Sequence, residues 1–429
     1  MAEQSAYAIL NVRKGADEQE IKRAYVELVK RYDPEKHTER FMVIQSAYER
    51  LRDPRKRAKE DVFTYNYLKG EFVFAPEEKE EDPLPEVLAR IRDLERQLAE
   101  QPDNPAVKPA LILNLMKRSY RNAQKKLWAE AIKDWQAVLR LDPTHQRAKN
   151  NLFFAFVHLA YYYALHDLTD DAIRLWEQAL EMDPENLAII HNLAIACEQA
   201  GLHDKAMKYW NEVVRRWKME LDKRPDDEYL RNCIIEVHKH HGGKALQSVP
   251  TPETKQEAVE QYREILKFNP NDFEARYQIA ATLMEENKFD EAVEELKKLH
   301  AEHPKNLDVV NLLGWAYLNA GKFEMAFNTW RRALITDPKN LAIKDSITRA
   351  RLAVGKKLKE VVHYTQALVH FKELLKLMPN AWELHYEIAD TLLRKGDRRA
   401  ALAEFQRVLE LDPKNKLAKK AIADIRLRA

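Results

Sequence analysis

The sequence is poor in cysteine, glycine and excess charge. Of its 429 residues, two are cysteine and nine are glycine, and the formal net charge is only +2. Two cysteines provide no disulfide framework, and a nearly balanced charge gives no electrostatic argument for nucleic acid as a partner. Few glycines, 45% apolar residues and 33% charged residues are typical of a nearly all-helical protein rather than a disordered chain.

Long hydrophobic runs are also missing. The most apolar stretch covers residues 152–165, contains a histidine and is too short to cross a bilayer, which takes about 20 apolar residues. The first residues show no basic segment followed by an apolar one, so we expect no signal peptide. These features predict a cytoplasmic protein without a membrane span.

Catalytic motifs are missing as well. The sequence has no Gly-rich phosphate loop, GxSxG or HExxH motif, so we predict no catalytic residue, no cofactor and no enzyme. Cys233, His238 and His241 could share one face of a helix and are the only weak metal candidates. We favour the alternative that this His-rich segment ends a helix before Gly242 and Gly243.

The sequence does contain a repeated pair of amphipathic helices. In the clearest copy, Asn306 to Pro338, apolar residues recur every three or four positions on both sides of a turn at Gly321. Pro304 and Pro338 are 34 residues apart. Eight such pairs run from about residue 105 to 413. The period and the signature resemble the tetratricopeptide repeat (TPR), which implies a superhelical solenoid whose groove holds a peptide or protein.

Spacing and composition divide the solenoid into parts. Two steps between repeats are seven residues longer than 34, which predicts lengthened helices. The predicted order is a leading helix at 84–104, a first arm at 105–239, a break at 240–255 with paired glycines and two prolines, a second arm at 256–413, and a capping helix at 414–429.

Several polar residues on the first helix of each pair are candidates for the groove. They are Asn151, His158, Asn192, Asn232, Arg276, Asn311, Lys344 and His385. A two-carboxylate clamp of the type that some TPR proteins use is not complete in any three successive repeats. Tryptophan fills four of the eight aromatic positions, and we favour core packing over a ligand-binding ladder.

Residues 1–63 differ from the repeats and resemble a J domain, the module by which DnaJ-type co-chaperones act on DnaK-type ATPases. The resemblance rests on the matching residues Tyr7, Leu10, Val12, Ile21, Lys22, Ala24, Tyr25, Leu28, Tyr32, Ala47, Tyr48, Glu49, Leu51, Asp53, Pro54, Lys56, Arg57 and Ala58. It implies a three-helix domain and a possible DnaK-type partner.

The loop after the second helix departs from the family. A J domain carries His-Pro-Asp there, whereas this chain has Asp33, Pro34 and Glu35. A carboxylate reverses the possible charge of an imidazole and removes its N–H donors. We therefore predict that the domain does not stimulate a DnaK-type ATPase in the usual way. The basic residues of the second helix, which either dock an acidic partner or are solvated, are Lys22, Arg23, Lys30 and Arg31.

Residues 64–83 contain an acidic run and two prolines, which predicts an extended charged linker. The alternative is an acidic segment that folds back on the basic J-like face. Together these features predict a non-enzymatic adaptor, either a co-chaperone or a complex-assembly factor. The alternative function is a structural scaffold subunit with no chaperone link.

Overall fold

The computed structural model describes residues 5–14, 16, 18–80 and 82–427. Residues 1–4, 15, 17, 81 and 428–429, which fall in the predicted J-like domain, linker and capping helix, lie outside the described residues. The described part contains 22 α-helices and no strand, so the all-α prediction is confirmed. No helix in this part is both long and apolar enough to cross a membrane.

The helices follow one another through short connections. Their bounds are α1 Ala6–Leu10, α2 Glu18–Arg31, α3 Thr38–Arg52, α4 Pro54–Asp61, α5 Leu84–Glu100, α6 Val107–Gln124, α7 Trp128–Leu141, α8 Gln146–Ala164, α9 Thr169–Met182, α10 Leu187–Gln199, α11 His203–Lys223, α12 Glu228–Gln247, α13 Pro252–Phe268, α14 Phe273–Glu285, α15 Phe289–Glu302, α16 Leu307–Asn319, α17 Phe323–Thr336, α18 Leu341–Glu360, α19 Tyr364–Leu377, α20 Trp382–Lys395, α21 Arg398–Leu411 and α22 Lys416–Leu427. A 3₁₀ turn occupies Pro76–Lys79.

The J-like region contains four helices rather than three. Buried residues of α1, α2 and α3, including Leu10, Ile21 and Ile44, form its core. The additional helix α4 begins because the Asp53 side chain accepts from two backbone N–H groups of the first turn and Pro54 occupies its first position.

The eight predicted helix pairs are α6–α7 through α20–α21, with α5 before them and α22 after them. The lengthened helices are α8, with 19 residues, and α18, with 20, against 13 in α10. The tryptophans of the repeat are fully buried at positions 135, 176, 210 and 330. In α16, a Cβ at Gly314 would overlap the Trp330 indole, so only glycine allows this close helix contact.

The chain divides into two compact units, residues 1–240 and 241–429. The predicted break at 240–255 is wrong in its extent, because α12 continues through both glycines to Gln247 and α13 begins at Pro252. A glycine inside a helix costs only about 1 kcal/mol relative to alanine. A Cβ at Gly242 would lie 3.0 Å from the Tyr262 ring, so this glycine permits close packing on α13 rather than ending the helix.

Candidate functional site: an occupied groove in the first arm

Residues 63–80 and 82, here named the tether, lie in the first-arm groove, which is the surface lined by α6, α8 and α10. Residues 65–75 have no regular secondary structure. The tether contacts α10 and α11 first and α6 last, so it runs opposite to the order of the repeats. The segment predicted as an extended charged linker therefore packs against the solenoid.

Two asparagines hold the tether by its backbone. The Asn192 side chain accepts from the Asn66 N–H at 2.6 Å and donates to the Asn66 carbonyl at 2.9 Å. The Asn151 side chain accepts from the Val73 N–H at 2.7 Å and donates to the Val73 carbonyl at 2.8 Å. Both asparagines are fully buried, and each lies six residues after the N-cap of its helix. Equivalent positions of two successive repeats thus bind an extended chain by its backbone, and Asn192 also accepts from the Asn66 side chain at 3.3 Å.

Aromatic side chains of the tether fill gaps between the helices. The Phe72 ring is stacked on Trp128 at a centroid distance of 5.1 Å and on Trp135 at 5.6 Å. The Tyr65 ring lies 5.2 Å from that of Trp176. Trp135 and Trp176 therefore pack in the core, as expected, and also present a face to the tether. Further ring contacts join Tyr67 to His158, Phe74 to Tyr120 and Phe63 to Trp210.

The acidic end of the tether meets basic residues of the solenoid. Lys117 donates to the Glu80 carboxylate at 2.8 Å and to the Asp82 carboxylate at 2.9 Å. Arg147 donates to the buried Glu78 carboxylate at 2.7 Å. The hydrogen bond from Lys117 holds the pKa of Asp82 below its usual range.

The alternative of an acidic segment folded on the basic J-like face is therefore wrong. The carboxylates of the tether contact α6 and α8 instead. The four basic residues of α2, Lys22, Arg23, Lys30 and Arg31, are exposed.

A buried histidine marks the start of the tether. His191 donates from Nε2 to the Val62 carbonyl at 2.6 Å, so its Nδ1 accepts from the Asn66 side chain at 2.7 Å. Burial, with a contribution from Lys14, lowers the pKa of His191 to about 3, and the ring is neutral at physiological pH. These groups border a cavity of about 300 Å³ between the J-like region, the tether and α10–α12.

The J-like region contacts the first arm through the end of α4. Tyr229 donates to the Asp61 carboxylate at 2.7 Å, and Arg55 lies 3.3 Å from the Glu228 carboxylate. The Lys14 ammonium donates to the backbone carbonyls of Asp61 and Thr64. Burial lowers the pKa of Lys14 to about 8. Lys14 thereby joins the J-like region to the first residues of the tether.

The opposite side of the J-like region is open. Asp33, Pro34 and Glu35 are all exposed, as is the basic face of α2. The Asp33 carboxylate accepts from the Glu35 N–H at 2.9 Å, and the Thr38 hydroxyl donates to the Pro34 carbonyl at 2.8 Å. The loop therefore has an ordered hydrogen-bonded turn in spite of its altered sequence.

Other predicted groove residues make contacts within their own repeats. Arg276 lies 2.8 Å from the Glu295 carboxylate and donates to the Pro270 carbonyl. His385 is hydrogen-bonded to the Glu404 carboxylate at 2.7 Å and to the Pro379 carbonyl at 3.2 Å. Arg276 and His385 thus play the same structural role, since each joins a carboxylate of the following helix to the carbonyl of a preceding proline. Asn311 accepts from Trp330, Asn232 donates to the Glu228 carbonyl, and Lys344 is exposed.

The weak metal candidates are not assembled into a site. Among the described residues, no group of three or more His, Cys, Asp or Glu side chains is placed to hold a metal ion. Cys233 borders the cavity beside Lys14, and burial raises the pKa of its thiol to about 12. A protonated thiol is a poor metal ligand.

Sequence reasoning missed most of the tether contacts. The missed residues on the solenoid include Lys117, Tyr120, Trp128 and Arg147. One signal was present: aromatic residues at positions 65, 67, 72 and 74 alternate in a segment with no core of its own. Such a pattern indicates an extended segment that requires a surface to cover it.

Comparisons with known proteins agree with this architecture. A profile of the DnaJ domain matches residues 5–61, and a profile of the tetratricopeptide repeat matches residues 167–216, 283–349 and 363–425. These matches define an all-helical protein built from two kinds of protein-interaction module, neither of them catalytic. The chain is DnaJ-like at its N-terminal end and carries TPR repeats after it, as predicted.

The individual similarities are partial. Chaperone protein DnaJ of Thermotoga maritima is 50% identical over 66 residues, which cover 14% of this chain and 18% of that protein. The DnaJ of Nitrosomonas europaea is 41% identical over 76 residues, covering 16% and 21%. The chain thus spans about a fifth of the length of these curated relatives.

Among solved structures, a MamA protein is 19% identical, covers 42% of this chain and 93% of its own, and has a TM-score of 0.31. A tetratricopeptide repeat protein from Parabacteroides merdae is 15% identical, covers 73% and 98%, and has a TM-score of 0.23. At these values the likeness says nothing about what the chain binds.

Proposed function

We propose that this protein is a co-chaperone-type adaptor, which presents its J-like domain on the first arm and holds a protein partner on the second arm. One observation carries the proposal. The J-like region is attached by α4 and Lys14, whereas the basic face of α2 and the loop at Asp33–Glu35 are exposed. The surface that the J-domain family uses for its chaperone is thus left open for a partner.

The altered loop limits what such contact achieves. Lys22, Arg23, Lys30 and Arg31 retain the positive charge for an acidic surface of a DnaK-type chaperone. The loop lacks an imidazole at position 33, and the Asp33 carboxylate that stands there is already used in its own turn. We therefore assign the domain a docking role in which binding occurs without the usual stimulation of ATP hydrolysis.

The first-arm groove is filled by the tether, so we assign the second arm as the surface for the other partner. Its first helices, α14, α16, α18 and α20, are the counterparts in the repeat of α8 and α10 in the first arm. Grooves of stacked helix pairs bind extended or helical segments.

A titration of a DnaK-type chaperone with the full chain tests the docking role. We expect measurable binding that weakens on Lys30→Glu but not on Lys56→Glu, a matched exposed lysine on α4. ATPase stimulation is expected only for the double variant Asp33→His, Glu35→Asp. If neither the protein nor the double variant binds, the co-chaperone role is excluded and the scaffold alternative stands.

A further inference from the structure

We propose that the first-arm groove is a binding site for an extended aromatic and acidic segment of a partner protein, and that the tether holds this site closed in cis. The proposal goes beyond the docking role of the J-like domain. It concerns a different surface and a different class of ligand.

The backbone hydrogen bonds made by the two asparagines do not require the tether's own sequence. Asn151 and Asn192 bind the N–H and the carbonyl of a single residue each, at distances between 2.6 and 2.9 Å. Every extended segment carries the same backbone groups. These two clamps therefore accept any chain that passes through the groove with suitable side chains.

The class of partner follows from the spacing of the tether's side chains. Aromatic residues occur at 65 and 67 and again at 72 and 74, and carboxylates follow at 78, 80 and 82. Residues two apart point to the same side of an extended chain. The groove supplies tryptophan faces for the aromatic residues, and Lys117 and Arg147 for the acids. The matching partner segment has alternating aromatic residues followed by acidic ones.

The tether leaves some groups of the groove unmatched. The indole N–H groups of Trp135 and Trp176 and the Asn114 side-chain oxygen are buried without a hydrogen-bond partner among the described residues. Buried donors without an acceptor favour a ligand that supplies one. A partner segment with hydroxyl or carboxamide side chains at these points gains hydrogen bonds that the tether does not make, and it therefore binds the groove in competition with the tether.

Displacing the tether also affects the J-like region. The Val62 carbonyl is held by His191, and the Thr64 carbonyl is held by Lys14. Both bonds lie where the J-like region passes into the tether. A partner in the groove pulls this junction away from its contacts, so groove occupancy and J-domain attachment are coupled.

The test uses the full chain and a fluorescent synthetic peptide of residues 62–83 added in trans. Phe72→Ala weakens the cis segment, because it removes the ring stacked on two tryptophans. Val73→Ala is the matched control, since that side chain is 47% exposed. We expect the peptide to bind Phe72→Ala at least about tenfold more tightly than the wild type or the control, because a tethered ligand competes at high effective concentration.

A second variant locates the bound peptide. Adding Asn192→Ala to Phe72→Ala removes one backbone clamp, and we expect most of the gained affinity to be lost. Circular dichroism checks that both variants are folded. Equal binding with and without Asn192 would place the peptide elsewhere and overturn the proposal.

Hydrogen exchange of the wild type gives an independent measurement. We expect amides of residues 64–75 to exchange faster than those of α10 and to be protected differently when the peptide is present. If residues 64–75 and α10 exchange only through global unfolding, the tether is a permanent part of the core. That result would refute the proposal. A dimer of Phe72→Ala that excludes the peptide would assign the groove to a second copy and would also refute it. None of these experiments uses a DnaK-type chaperone. A result that refutes the groove proposal therefore leaves the docking role of the J-like domain untouched.

Discussion

Substitution of Asn151 by alanine removes one of the two backbone clamps on the tether. Asn151 is fully buried and binds both backbone groups of Val73. Alanine fits the helix α8 without strain and leaves these two groups without their partner. The change therefore acts on the attachment of the tether more than on the repeat itself.

The magnitude follows from the two bonds. Each has a normal length, 2.7 and 2.8 Å, and a hydrogen bond of this kind contributes about 1 kcal/mol net. Val73 is exposed, so water replaces part of what is lost. We expect the free energy that is required to open the tether to be about 1–2 kcal/mol lower in the variant than in the wild type. The population of the open tether then rises about 5–30-fold.

Hydrogen exchange with mass spectrometry measures this opening in the peptide that covers residues 64–75. The matched control is Asn150→Ala, since Asn150 makes a single bond of 3.4 Å to the Glu71 carbonyl. The exchange rate of the tether should rise in Asn151→Ala and stay near the wild-type rate in the control. Helices α7 and α9 should keep their protection in both.

Equal exchange in the wild type and Asn151→Ala would show that the asparagine clamp does not hold the tether. Equal acceleration by both variants would point to a general loosening of α8. Either result refutes the inference that backbone binding by these side chains holds the segment in place.

Four further changes test other parts of the structure. Gly314→Ala should destabilise the second arm by about 1–3 kcal/mol, because the new methyl group overlaps the Trp330 indole. Gly243→Ala, where the nearest atom is 3.9 Å away, should stabilise α12 by about 0.5–1 kcal/mol. Lowering the pH from about 6.5 toward 3 should destabilise the first unit, because His191 has its pKa lowered to about 3 in the folded state and the unfolded chain binds the proton first. Replacing Arg351 by methionine should stabilise its arm by about 1 kcal/mol, because the residue is 9% exposed and its guanidinium, 4.4 Å from the centroid of the Phe327 ring, makes no ion pair among the described residues that offsets burial of its charge.

Denaturation curves of the full chain, followed by circular dichroism, measure these effects. For the pH effect the control is His191→Gln, which should show a smaller loss between pH 7 and pH 5. Lys14 faces the same ring with a pKa of about 8, so it is charged throughout this range. For Arg351 the control is Arg349→Met, an exposed residue paired with Asp345 at 2.8 Å, which should gain nothing. A loss of stability in Arg351→Met would show that its charge is compensated.

The repeat period and the helix pairs were predictable because the information is local. Residues three and four apart define each apolar face, and the seven extra residues in two steps correspond to the long helices α8 and α18. The J-like core was predictable for the same reason. Only the predicted extent of the break was wrong, because packing of Gly242 on Tyr262 overruled local helix propensity.

The position of the tether was not predictable in this way, because its partners are distant in the sequence. Asn66 binds a residue 126 positions away, and Val73 binds one 78 positions away. The acidic composition of this stretch predicted a solvated segment, yet Lys117 pairs with Glu80 and Asp82, and Arg147 pairs with Glu78. The asparagines at 151 and 192 were expected to contact a ligand, and the structure places the chain's own backbone against them.

The tether sets how strongly a partner segment binds. With the groove closed, the apparent dissociation constant is the intrinsic one divided by the open fraction. If the tether is open in about 1% of molecules, a segment with an intrinsic constant of about 10 nM binds with an apparent constant of about 1 μM. Loss of the Phe72 ring raises the open fraction and leaves the groove itself unchanged, so it shifts this constant back toward its intrinsic value. Loss of the Asn151 clamp also opens the tether but removes a bond from the partner segment as well, so only variants of the tether itself should bind the aromatic and acidic peptide more tightly in proportion to their opening.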